Sequence, residues 1–240
     1  MQSPAAITAL LTTNLEGIRE RIGVACRRAG RDPAAVQLVA VTKYAALRWV
    51  ELLAPLHTDC GENRPQQLAE RQPMLPQLRW HLIGQLQRNK VRLAVRHAQM
   101  IHSVDSLKLL EAIAEAAGRE QRCPQLLLQV NASREGSKSG FSPEELEEVW
   151  PRLLEAGRGL PIAGLMTMAA ETDNIEEARP AFRELRRLRD VLQGRPETAV
   201  SGVQLGELSM GMSGDFEAAI EEGATLVRLG TAVFRGLSAE

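Results

Sequence analysis

A chain of 240 residues with 29 Lys and Arg against 30 Asp and Glu carries a formal net charge of −1. That length suits one barrel-sized domain with a substantial core, and so balanced a charge gives no support to a nucleic-acid partner, which calls for a basic excess on one face. The 3 cysteines, Cys26, Cys60 and Cys123, are widely spaced with no CxxC pair, so they indicate neither a zinc ribbon nor a disulfide framework and fit a reduced, cytoplasmic setting.

The first element is an amphipathic helix over 4–29, where Ile7, Leu10, Leu11, Leu15, Ile18 and Ile22 recur at helical spacing and Gly30 is placed to end it. Its apolar stretch at 5–11 runs into Thr12-Thr13-Asn14, then Glu and Arg, which does not read as a signal peptide. No apolar run approaches the roughly 20 residues that span a bilayer. Short apolar runs follow at 36–42, 58–61, 80–84, 100–104, 125–130, 162–168, 208–212 and 225–234. Helical patterns lie between them, clearest at 106–117, 143–156, 175–193 and 215–222. The Arg clusters at 19–28 and 183–189 fall inside such patterns, interleaved with Glu and Leu, and read as solvated helix faces. Leu38-Val39-Ala40-Val41 and Leu126-Leu127-Leu128 lack polar alternation, as strands buried on both faces do. The alternation predicts parallel pairing in an α/β fold, a closed (β/α)8 or TIM barrel, with a doubly wound open sheet as the competitor. The whole of 1–240 reads as one domain, with the helix of 1–30 packed outside the barrel.

In such barrels the site lies at the C-terminal ends of the strands. The first run ends in Thr42-Lys43-Tyr44, the second in Gly61-Glu62-Asn63, and the third carries His81. The seventh gives Ser209-Met210-Gly211-Met212-Ser213 and the eighth Arg228-Leu229-Gly230-Thr231. Ser213 ahead of a helix and Gly230-Thr231 stand where barrels bind phosphate; the competing reading makes Ser213 an N-cap and Gly230 a turn residue. Lys43 leaves a buried strand, which lowers an amine pKa and favours imine formation with an aldehyde; the competing reading is a lysine snorkelling to the surface.

Val39-Ala40-Val41-Thr42-Lys43, Gly61-Glu62-Asn63, Trp80-His81-Leu82-Ile83-Gly84-Gln85-Leu86-Gln87-Arg88-Asn89-Lys90 and Ile101-His102-Ser103-Val104-Asp105-Ser106 resemble the pyridoxal 5′-phosphate (PLP) homeostasis protein family. So do Gln129-Val130-Asn131 with Lys138-Ser139-Gly140-Phe141, Gly164-Leu165-Met166-Thr167-Met168, Leu208-Ser209-Met210-Gly211-Met212-Ser213 and Val227-Arg228-Leu229-Gly230-Thr231. Eight blocks in the family's order are highly specific. The resemblance implies a barrel similar to the N-terminal domain of alanine racemase. It implies Lys43 as the Schiff-base lysine, Arg228 beside the pyridine nitrogen, Ser213, Gly230 and Thr231 around the phosphate, and Asn63, His81 and Met210 lining the cofactor. Cys60 and Arg64-Pro65 stand where the family usually has an aromatic residue and a Tyr-Val pair.

An arginine at the pyridine nitrogen cannot accept its proton, which weakens carbanion chemistry. The single tyrosine, Tyr44, adjoins Lys43, so no opposite-face Tyr base is at hand, and with so few residues after the eighth run the second domain of alanine racemases is not expected. The expectation is a monomeric carrier or buffer of PLP in vitamin B6 and amino-acid homeostasis, with apo PLP-dependent enzymes as recipients; the alternative is a weak amino-acid racemase or another PLP-dependent enzyme. A PLP-free sugar-phosphate enzyme is disfavoured, since strand ends lack paired carboxylates. Gly136-Ser137-Lys138-Ser139 lacks the first glycine of a P-loop, Asn131 standing there, and His81 and His102 have no ligand at metal spacing. Lys138, on a glycine-flanked loop at the same barrel face, reads as a relay for PLP or as a solvated loop lysine.

Overall fold

The computed structural model describes residues 2–134, 139–170, 172 and 174–238. Among them, eight parallel strands close into a barrel in chain order: β1 (Gln37–Val41), β2 (Asp59–Glu62), β3 (Arg79–Leu82), β4 (Met100–Val104), β5 (Gln125–Gln129), β6 (Ile162–Met166), β7 (Glu207–Ser209) and β8 (Leu226–Leu229). β8 closes on β1 with Val39 beside Arg228 and Ala40 beside Leu229. This is the closed barrel expected from the alternation; the open sheet is excluded.

α1 (Pro4–Arg28) precedes the barrel, and α2 (Leu47–Leu53), α3 (Pro65–Arg71), α4 (Val91–His97), α5 (Leu107–Glu120), α6 (Pro143–Ala156), α7 (Ile175–Gln193), α8 (Pro196–Ser201) and α9 (Phe216–Glu221) follow. Local chemistry sets the starts. Ser106 accepts from the Leu109 N–H ahead of α5, and Ser142 with Glu145 forms a capping box ahead of α6. Outward strand residues such as Leu38, Ala40, Leu126, Leu128 and Leu229 join the core shared with the helices. Inward Val39, Met100, Leu127, Met166 and Leu226 form a smaller core inside the barrel. Two-sided burial is why these strands read as unbroken apolar runs.

α1 lies outside the barrel against α2 and α9. Asn14 Nδ2 donates to the carbonyls of Val233 and Arg235 at 3.0 and 2.9 Å, and Arg31 to those of Ile220 and Ala224 at 2.5 and 2.8 Å. It thus straps the segments on both sides of β8. No helix among the described residues is long and apolar enough to cross a membrane.

Several strands are shorter than their apolar runs, and for β7 and β8 the backbone shows why. β8 stops at Leu229 because the Val233 and Phe234 N–H groups both turn back to the Gly230 carbonyl. β7 stops at Ser209, and Gly211 then takes φ +94°; a Cβ there would lie 2.7 Å from the Ala219 Cβ. Only glycine admits both the left-handed backbone and the approach of α9. Gly211→Ala should cost about 1–3 kcal/mol of stability. A urea midpoint unchanged from wild type would contradict this packing.

Candidate functional site

Lys43 follows β1 by two residues and is half-buried, its Nζ 4.9 Å from the centroid of the Tyr44 ring, which is 86% exposed. The turn that carries it is clamped from α3. Arg71 donates to the Thr42 carbonyl at 2.8 Å and the Ala45 carbonyl at 2.7 Å. It also pairs at 2.6 Å with Glu62, a fully buried carboxylate that accepts from Thr42 Oγ1 at 2.5 Å. Burial pushes the Glu62 carboxyl upward, against the pull of Thr42 and Arg71. Asn63 sits at the end of β2, and Gly84 packs against it so closely that a Cβ would fall 2.2 Å from the Asn63 carbonyl oxygen. A cavity of about 440 Å³ opens beside Lys43, lined by Tyr44, Asn63, Arg64, Gln66, Gln67 and Glu70. A larger groove of about 1050 Å³ runs by Leu154, Gly157, Pro161 and Val200, where β6 begins, far from the strand ends that carry the chemistry.

The loops after β7 and β8 meet through Ser213, whose hydroxyl accepts from the Ala232 N–H at 3.4 Å. Ser213 is not the cap of α9; that position belongs to Asp215, whose carboxylate accepts from the Met212 N–H at 2.6 Å. Among the described residues, the backbone N–H groups of Gly214 and Thr231 find no protein acceptor. Two hydroxyls and two such donors on adjoining loops suit an anion with several acceptor oxygens.

Arg228, 5% exposed, projects inside the barrel, where Nη1 donates to Ser209 Oγ at 2.6 Å and Nη2 to the Thr167 carbonyl at 2.9 Å. Burial pushes its pKa down to about 10, and the charge of Asp215 opposes the shift. A buried guanidinium without a carboxylate in contact retains N–H groups for a further acceptor.

The same interior holds a string of polar side chains. Ser209 Oγ lies 2.9 Å from His102 Nδ1, His102 Nε2 lies 2.9 Å from His81 Nδ1, and His81 Nε2 lies 3.2 Å from Asp59 Oδ1. Burial, the largest influence, holds His102 well below the ordinary histidine value, and the nearby guanidinium of Arg228 adds to it. Burial alone would raise Asp59, but hydrogen bonds from His81 and Arg79 outweigh it and bring its pKa to about 2. A folded-state value below the unfolded one means that this carboxylate's stabilisation is complete above its ordinary 3.8 and is lost as the pH falls towards 2. In acid unfolding, Asp59→Asn should flatten the stability profile across that window; a profile with the wild-type slope would contradict it.

Lys43, Asn63, Ser213, Gly230 and Thr231 therefore stand at the strand ends, with Arg228 just below. His81, 3% exposed, has both ring nitrogens engaged in the string, and Met210, fully buried, packs in the core shared with the helices. Neither presents surface to a ligand at the mouth. Lys138 lies outside the described residues. Gln85 and Gln129 tie the adjoining Ser139 to the rim, at 3.1 Å through its hydroxyl and 2.9 Å through its carbonyl. Arg71 and Asp59 were not among the expected site residues. A buried-phase Asp at the start of an inward-facing run was the signal for Asp59; Arg71, in a polar helix, offered none.

A family model described as the alanine racemase N-terminal domain matches residues 13–238. The pyridoxal phosphate homeostasis protein of Pseudomonas aeruginosa is 41% identical over 232 residues, covering 93% of this chain and 94% of its own. PipY of Synechococcus elongatus, solved with PLP bound, superposes with a TM-score of 0.76 at 38% identity, covering 90% of this chain and 99% of its own. Alanine racemase from Corynebacterium glutamicum, at 14% identity and a TM-score of 0.70, shares the barrel over 96% of this chain and 62% of its own.

Proposed function

This chain belongs to the pyridoxal phosphate homeostasis protein family, and from that premise we propose that it binds PLP at the barrel mouth and holds the aldehyde through Lys43. The observation that carries the reading is the placing of three features on neighbouring strands. They are a primary amine clamped at the end of β1, a buried cation on β8, and a donor-lined anion cradle on the loops after β7 and β8. Bound PLP supplies an aldehyde that condenses with primary amines, a basic pyridine nitrogen and a phosphate dianion.

Each feature of the chain fits one of these groups. Lys43 Nζ is the nucleophile, and the Glu62–Arg71 clamp fixes the backbone from which it reaches. Arg228 donates to the ring nitrogen. Ser213, Thr231 and the backbone N–H groups beside them bind the phosphate, with Gly230 allowing close approach. Asn63 borders the ligand, while His81 and Met210 support the wall from behind.

Arg228 cannot supply a proton acceptor and carries no carboxylate contact. The one tyrosine, Tyr44, points its ring to solvent beside Lys43. Both favour a carrier or buffer over a racemase, and we take the carrier to be a cytoplasmic monomer that delivers PLP to apo-enzymes. Lys138 serves as a relay in that transfer.

The test is titration of the purified protein with PLP, followed by near-ultraviolet and visible absorption and borohydride treatment. A saturable lysine-bound pyridoxal band that borohydride removes is expected; no band at any PLP concentration would refute the proposal. Incubation with D- and L-amino acids in deuterated buffer addresses the enzyme alternative. Rapid α-proton exchange would refute the carrier role while leaving PLP binding intact. Lys138→Ala with an unchanged rate of PLP transfer would remove the relay.

A further inference from the structure

The interior string of Asp59, His81, His102, Ser209 and Arg228 has one arrangement of protons that satisfies every atom. Asp59 receives Gln37 Nε2 at 2.5 Å, Arg79 Nη2 at 2.6 Å and Thr58 Oγ1 at 3.0 Å, so it acts only as an acceptor. The proton between Asp59 and His81 therefore sits on His81 Nε2. A neutral His81 then has a bare Nδ1, which must accept from His102 Nε2. His102 in turn has a bare Nδ1, which accepts the Ser209 hydroxyl proton. That turns the Ser209 oxygen into the acceptor for Arg228 Nη1. With His81 charged instead, both His102 and Arg228 would donate to Ser209. The hydroxyl proton of that fully buried serine would then lack an acceptor.

We propose that Asp59 is a remote positioning residue for Arg228, acting through a one-directional chain of hydrogen bonds, Arg228 to Ser209 to His102 to His81 to Asp59, that locks both histidines as neutral Nε2–H tautomers. The chain crosses the barrel from β8 through β7, β4 and β3 to β2. Its consequence is chemical as well as structural. Ser209 accepts from Arg228 with its own proton also paired only while His102 takes that proton, so the far carboxylate favours the guanidinium orientation that meets this serine. Arg228 then presents its remaining N–H groups as donors only. The inference bears on the proposed PLP site through Arg228, but its protons are set in the ligand-free protein.

That makes ¹⁵N-resolved imidazole spectroscopy of the ligand-free protein the test. His81 and His102 should each show one protonated nitrogen, Nε2, and one bare nitrogen, Nδ1. Asp59→Ala, which touches His81 but not His102, should convert the single His102 tautomer into a mixture. Ser209→Ala should do the same and weaken PLP binding about tenfold. A protonated Nδ1 on either histidine of the wild type would overturn the chain, as would a folded Asp59→Ala protein with the wild-type His102 pattern. Should Asp59→Ala fail to fold, the wild-type spectrum and Ser209→Ala decide between the same outcomes. A protein with these tautomers but no lysine-bound pyridoxal would sink the cofactor reading alone.

Discussion

Lys43→Ala should abolish covalent PLP binding and leave the protein folded. The lysine is half-buried at the end of β1, and its side chain makes no ion pair on which the fold depends. Removing it deletes the only nucleophile that the clamp of Arg71 on Thr42 and Ala45 holds in place. The lysine-bound pyridoxal band should vanish, and apparent affinity should fall at least about 100-fold, or about 2.7 kcal/mol. Arg228 and the phosphate loops would still hold PLP weakly. Lys43→Arg should fail equally, because a guanidinium stays charged and cannot attack the aldehyde. Absorption titrations of the two variants check this. A Lys43→Ala protein retaining a full band would place the anchor on another lysine.

Glu62→Ala should cost about 3–5 kcal/mol of stability, because it strands a largely buried guanidinium. The Glu62 side chain is fully buried, and that of its partner Arg71 is 11% exposed. The loss extends to the site: Arg71 freed from Glu62 no longer has a fixed geometry for the Thr42 and Ala45 carbonyls around Lys43. PLP affinity should therefore drop together with the urea midpoint. The pair of Arg119 with Glu115 makes the internal control. Its side chains are 72% and 64% exposed, and Arg119→Ala should change stability by no more than about 0.5 kcal/mol. Equal effects from the two substitutions would contradict the role assigned to burial.

The elements that alternate cleanly were legible. β4 and α7 have the expected limits, because their apolar patterns end at caps and turns that the residues announce. Parallel pairing also followed, since unbroken runs such as Leu126-Leu127-Leu128 need cover on both faces, and the count of eight such runs favoured closure over an open sheet. What stayed hidden depends on which face a side chain takes and what lies across the barrel. The apolar residues after Ser209 and Leu229 were read as strand, yet Met210 and Val233 are fully buried in turns that pack on the helices. α8 is six residues long and has no periodic stripe to betray it. His81 was expected at the ligand, whereas its phase on β3 turns both its nitrogens towards Asp59 and His102. Polar residues embedded in buried runs were the available signal, but only closure of the barrel brings β2, β4 and β7 together. Lys43 and Ser213 were singled out by their places at strand ends, whereas the part expected of Arg228 came from the family resemblance.

The most direct test of the account is peptide mass mapping of the wild-type protein after PLP loading and borohydride reduction. A single pyridoxyl adduct on the peptide containing Lys43 is the predicted result. Its absence, or a dominant adduct on Lys138 or any other lysine, would contradict the assignment of this barrel mouth as the PLP site.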